Sequence, residues 1–180
     1  MRFLTLILAA YGTSAGAYAQ AGSPVPECRH SQTQFELLVH ASYAETAPLF
    51  GPQGERAWAG KHWNPEFIYP AVEKDIEGAV FTIQHGELKA TWVNTLFDLD
   101  GRHFQYVYFL PDLMVTVIDV RFKPLTADST AVSVVYTRTA ITPEGNPHVD
   151  AMSEGDRMAG ADWQKAIDAY LAGRKAGTVP

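Results

Sequence analysis

The chain has 180 residues, 47% of them apolar and 19% charged, with a net charge of −6. That is enough chain for one domain with its own core, and the composition argues against disorder. An acidic chain with no basic run lacks a phosphate-neutralising surface, so nucleic acid is excluded as an expected partner.

The N-terminus reads as a targeting segment. Arg2 precedes an apolar run from Phe3 to Ala10, and Ala17-Tyr18-Ala19 follows a small-residue stretch. This is the order of a cleaved secretory signal. The run is too short to cross roughly 30 Å of hydrocarbon as a helix. Residues 1–19 are therefore expected to be removed, giving a periplasmic or secreted product with no integral membrane segment. Residues 20–34, with Pro24 and Pro26, read as an extended leader. Cys28 is the one cysteine, so no internal disulfide can form.

A first strand is predicted over Phe35–Tyr43. Pro48, Gly51, Pro52 and Gly54 then cut a helix-leaning stretch into two short helices. Gly54 to Pro70, GERAWAGKHWNPEFIYP, is broken by glycine and proline, yet it holds Trp58 and Trp63, two of the four tryptophans. From Gly78 strand patterns recur: 78–85, 88–99, 102–110, 113–123 and 130–141. They are separated by turn signals, among them Asp100-Gly101, which suggests a type I′ hairpin. In 116–122, Thr116, Ile118, Val120 and Phe122 alternate with Asp119 and Arg121, so the former should face the core. The face of 132–139 is ambiguous. The period then changes. Ser153 and Asp156 look like a capping box, and Ala159, Trp163, Ala166, Ile167, Tyr170 and Leu171 form one apolar stripe of a helix over 153–172.

The element order, with the GERAW…HWNPEFIYP, GAVFTIQHG, TWV, VSVVYTRTAI and DWQKAIDAYL segments, resembles the START-like or SRPBCC superfamily. This is the group of plant pathogenesis-related allergens, lipid-transfer domains and polyketide cyclases or dehydrases. The resemblance covers about Phe35 to Leu171. It implies an α+β helix-grip fold over 35–173, with a tail from 174 to 180: a curved antiparallel sheet of six or seven strands around a long C-terminal helix and an apolar cavity. The superfamily has no common catalytic residue, so it assigns no catalytic role here.

The candidate ligand-binding residues are Trp58 and Trp63 at the cavity mouth, Phe81, Trp92, Tyr106 and Tyr108 in the walls, His85 at a strand end, and Arg138. Asn94 and Tyr136 could also place polar tips inside. The tryptophans could equally complete the core. His85 could serve as a rim donor or a general base. Arg138 is either an exposed strand arginine or, if buried, a partner for a ligand carboxylate. Ala90 and Thr139 are among the modest inward residues that would leave volume. Asp98 and Asp100 fit turn chemistry, and Glu73, Asp75 and Glu77 fit a solvated face. No two of the six histidines stand four apart and no H-E-x-x-H occurs, so neither a metal nor another cofactor is expected. These features suggest a carrier for a small hydrophobic ligand. The alternatives are a cyclase-, dehydratase- or hydrolase-type enzyme using His85 with Tyr108 or Arg138, and an interaction module with a filled core.

Overall fold

The computed structural model describes residues 27–177. The predicted signal segment and the first part of the leader lie outside the described residues. The strands are β1 (His30–Val39), β2 (Glu66–Tyr69), β3 (Val80–His85), β4 (Leu88–Asp98), β5 (His103–Leu110), β6 (Met114–Thr126) and β7 (Ser129–Ala140). The helices are α1 (Tyr43–Thr46), α2 (Pro52–Glu55) and α3 (Asn146–Lys175), with a 3-10 turn at Ala47–Phe50 between the first two. All seven strands form one antiparallel sheet in the order β1-β7-β6-β5-β4-β3-β2. The architecture is the expected α+β helix-grip fold.

Several elements differ from the sequence reading. β1 begins at His30, earlier than Phe35, because pairing with β7 carries its alternation into the polar stretch. Inward Ser31, Thr33, Phe35, Leu37 and Val39 alternate with exposed neighbours. β2 has too short an apolar pattern to register as a strand, and it forms because Glu66 and Phe67 pair with Thr82 and Phe81. The Asp100-Gly101 hairpin is not type I′. Asp98 pairs with His103 across a four-residue loop, and the left-handed residue is Arg102, at φ 56°. Gly101 is required for space: its N–H donates to Asp98 Oδ1 at 2.7 Å, and a Cβ would meet that carboxylate at 2.1 Å. β6 runs through the expected 124–129 loop and turns only at Ala127-Asp128.

α3 starts at Asn146, seven residues before Ser153, with a proline in its first turn. The real capping box lies at α1, between Ser42 and Glu45. Ser153 and Asp156 are instead mid-helix residues turned toward β1 and β7: Ser153 bonds Ser31 at 3.0 Å. α3 lies along β1, and Gly160 permits the close approach, since a Cβ there would stand 3.2 Å from Glu36 O and from the Phe35 ring. Gln164 Oε1 accepts from Leu38 N at 2.7 Å, satisfying a donor on this edge strand.

The inward set of β6 is as expected: Thr116, Ile118, Val120 and Phe122 are buried, and Asp119 bonds His103 and Arg121 outside. β7 turns Val132, Val134, Tyr136 and Arg138 inward and Thr139 outward, where it bonds His30. Thr139 is therefore no cavity residue. Arg138 is 4% exposed, and its guanidinium grips Asp156 of α3, with Nη2 donating to Oδ1 at 3.0 Å and Nη1 donating to Oδ2. Thr33 of β1 donates to the same carboxylate. This bidentate pair ties the helix to two strands.

Leaving one of these charges buried alone is costly. Asp156→Ala is expected to lower unfolding free energy by about 3–5 kcal/mol in urea titrations. The double change Arg138→Met with Asp156→Leu should recover most of that loss. An unchanged midpoint in Asp156→Ala would show that the pair does not hold the helix.

Candidate functional site

The glycine-broken segment builds the site. Gly54 has no room for a side chain, since a Cβ would stand 1.7 Å from Pro48 O. At Gly51 a Cβ would meet the Asp75 carboxylate at 2.2 Å. That carboxylate caps α2 from the β2–β3 connection, accepting from Gln53 N at 2.9 Å. Arg56 braces the chain on both sides of β2, with Nη1 donating to Glu73 Oε2 at 2.6 Å after it and Nη2 to Pro65 O before it. Glu73 and Asp75 are thus structural partners of α2, not a free acidic face. The two glycines let the chain fold tightly, and the turn that follows places Pro52, Glu55 and Trp58 on one buried side.

A cavity of about 390 Å³ lies between this segment, α3 and the concave face of the sheet. Of the candidate residues, Trp58, Trp63, His85, Trp92 and Tyr106 line it. Trp58 Nε1 donates to Leu49 O at 2.7 Å and Trp63 Nε1 to Pro52 O at 2.9 Å, so both indoles are anchored to the segment they close. Trp58 meets Trp163 of α3 edge-on at 5.1 Å, and Trp63 meets Trp92 at 5.4 Å. The tryptophans therefore both complete the core and wall the cavity. Phe81 and Tyr108 sit behind the lining, each stacked on Trp92. Arg138 is consumed by Asp156, which removes it as a partner for a ligand carboxylate. It reaches the cavity only indirectly, over the back of Tyr136 at 4.4 Å. Asn94 is spent on the backbone, donating to Ile76 O at 3.1 Å. Ala90 is fully buried. The exposed residues His62, Gln84 and Asp162 form the rim.

Few polar groups face this aromatic space. Glu55 is 9% exposed and lines the cavity. Its carboxyl has no hydrogen-bond partner among the described residues. Burial, with repulsion from Asp75 second, holds its pKa well above the ordinary 4.5. His85 stacks on Tyr108 with ring centres 5.9 Å apart, and its Nε2 is buried without a partner. Burial lowers its pKa from 6.5, so the ring is neutral at neutral pH. Trp92 Nε1 is likewise unpartnered. Tyr136 lines the cavity too, and desolvation drives its phenol upward. Tyr106 donates its hydroxyl to Phe50 O. Of the two partners that the enzyme alternative offered His85, Tyr108 stacks on it, while Arg138 is paired with Asp156. Glu55, which the sequence reading passed over, is the acid of the site. Its spacing of three from Trp58 was the available signal, because it puts both on one face of a helical turn. Among the described residues no group of three or more His, Cys, Asp or Glu could hold a metal ion. No helix there is long and apolar enough to cross a membrane.

No family model matches the chain, and no curated protein does. Solved structures match in fold. Norcoclaurine synthase from Thalictrum flavum, in complex with dopamine and hydroxybenzaldehyde, superposes with a TM-score of 0.57 at 17% identity, covering 94% of this chain and 97% of that one. XoxI from Bacillus cereus gives 0.58 at 14% identity, over 76% of this chain and 95% of that one. The di-domain ARO/CYC protein BexL gives 0.57 at 16% identity, over 77% of this chain and 46% of that one. The chain therefore shares its helix-grip fold with these solved structures.

A carboxyl that holds its proton longer when folded than when unfolded destabilises the protein as pH rises. The loss begins near 4.5 and levels off above the raised native value. His85 works oppositely, since its depressed native value makes stability rise with pH up to about 6.5. Glu55→Gln is thus expected to be more stable than the parent at neutral pH, with the difference closing as pH falls toward the carboxylate range. Thermal unfolding of both proteins across pH checks this. A parallel pair of profiles would place Glu55 in water.

Proposed function

We propose that this chain binds a small, largely apolar ligand of aromatic character in the cavity between α3, the aromatic segment and the sheet. One observation carries the reading: a cavity of about 390 Å³ is walled by seven aromatic side chains and only a few polar groups. Ligand sites of small molecules commonly have this size and mixture. A void of this extent also argues against an interaction module with a filled core, because an empty apolar cavity costs stability that a ligand would restore. The norcoclaurine synthase of like fold holds two small aromatic molecules, which supports the ligand's class. The proposal includes export and cleavage after Ala19, on the strength of the N-terminal pattern. A carrier for a hydrophobic molecule is its simplest form.

An enzyme of cyclase or dehydratase type is the second reading, favoured by Glu55 and His85. Burial raises the Glu55 pKa and lowers that of His85, which moves the two toward the roles of acid and base. Both line one cavity. Chemical change in a bound polyketide-like ligand, lost in Glu55→Gln while binding persists, would establish it.

Ala166 lines the cavity from α3, and a larger side chain there would project into the space. Ala166→Phe is expected to abolish binding of small aromatic probes, read by tryptophan fluorescence and by ligand-induced rise in melting temperature. The variant itself should melt at or above the parent. Full retention of binding would place the ligand elsewhere.

A further inference from the structure

The cavity's charge pattern says more than its apolar walls do. Among the described residues no lysine or arginine lines it, whereas Glu55 lies within and Asp162 stands at the rim. The nearby cations are engaged elsewhere: Arg56 by Glu73, and Arg138 by Asp156 behind Tyr136. Phe50, Trp58, Tyr136 and Trp163 line the same space as Glu55. Aromatic faces and a desolvated carboxylate both attract a positive charge, and both disfavour an anion. Glu55 has no partner of its own among the described residues to compete.

We infer that the ligand is an organic cation, a small molecule with an apolar body and a protonated amine that seats against Glu55 inside the aromatic wall. This rests on the binding reading above and narrows it. The amine supplies the countercharge that the fold withholds. The apolar body occupies the space toward Trp63 and Trp92, which line the same cavity.

Seating a cation also moves a proton. Burial and then Asp75 raise the pKa of Glu55 well above the ordinary value, so its carboxyl holds a proton to higher pH than a free one. An ammonium beside it favours the carboxylate, so binding releases that proton to the solvent. Affinity for the amine then rises with pH until Glu55 is ionised without ligand. The other titratable groups facing Glu55 are Asp75 from the β2–β3 connection, Tyr106 of β5 and Tyr136 of β7. His62, His85 and Asp162 share the cavity. Desolvation holds both phenols well above their ordinary range, so they stay protonated over this interval. His85 is neutral and adds no opposing charge near neutrality.

A matched pair of probes tests the inference: naphthylethylamine and naphthylethanol, which differ in the charged group alone. Calorimetry in two buffers of different ionisation enthalpy reads affinity and proton release together. The amine is expected to bind roughly tenfold tighter than the alcohol or better. Binding should release a proton at slightly acid pH, and Glu55→Gln should erase both the preference and the release while still binding the alcohol. Equal binding of the two probes would overturn the cation inference and leave the apolar cavity reading standing. An amine preference that survives in Glu55→Gln would remove Glu55 as the seat. Failure of both probes to bind would sink the cavity reading and this one with it.

Discussion

One helix about 10 Å wide covers roughly two strands spaced about 4.8 Å apart. The sheet here has seven. α3 spends its inner face on β1 and β7, where Gly160 allows close approach and Asp156 meets Arg138. The concave surface of β3 to β6 must be covered by something else. The chain uses the aromatic segment between β1 and β3, set in place by Gly51, Gly54 and the Asp75 cap. Large rings on a short, broken segment can roof the remaining strands without a second long helix. They do so incompletely, and the space they leave is the cavity.

Two buried carboxylates show how differently the interior treats charge. Asp156 is matched by a bidentate guanidinium and by Thr33, so its demand is met within the fold. Glu55 shares an aromatic-lined cavity and is repelled by another acid, Asp75, with no countercharge among the described residues. The first arrangement fixes the helix. The second lowers stability, and it is the kind of local disadvantage that binding sites retain because a ligand relieves it. Glu55 reaches its place through the same tight turn that anchors Trp58, so the roof of the cavity and its acid are one construction.

Legibility in the sequence followed from periodicity. The buried stripe of β6 could be read because Asp119 and Arg121 mark the opposite face clearly. β7 could not, because Tyr136 and Arg138 sit at positions where apolar and polar faces look alike. The start of α3 differs from the expected one because Ser153 and Asp156 imitate a cap, while the actual cap pattern spans the expected strand end at Ser42 and the helix-leaning stretch at Glu45. β2 exists only through its pairing with β3, which is tertiary information. The aromatic wall, including Trp58, Trp63 and Trp92, was legible from the position of the rings between recognisable strands. Glu55 and the Arg138–Asp156 pair were not. Each depends on what a charged side chain meets across the fold, and neither charge spacing nor composition encodes that.

The place of β1 beside β7 has a kinetic consequence. β3 to β7 pair with sequence neighbours through short turns, so that part of the sheet can assemble by local steps. β1 must wait: His30 and Thr139, which bond across the last ladder, are 109 positions apart in the chain. Closing so long a loop carries an entropic cost that the earlier hairpins avoid. Until that closure, β7 presents an open edge with Val132 and Val134 beside it, and Arg138 waits for a helix that docks against β1. Among the described strands, the one nearest the N-terminus is thus expected to be the last to join the sheet. During that interval the nascent protein carries an unpaired strand edge able to capture a second chain.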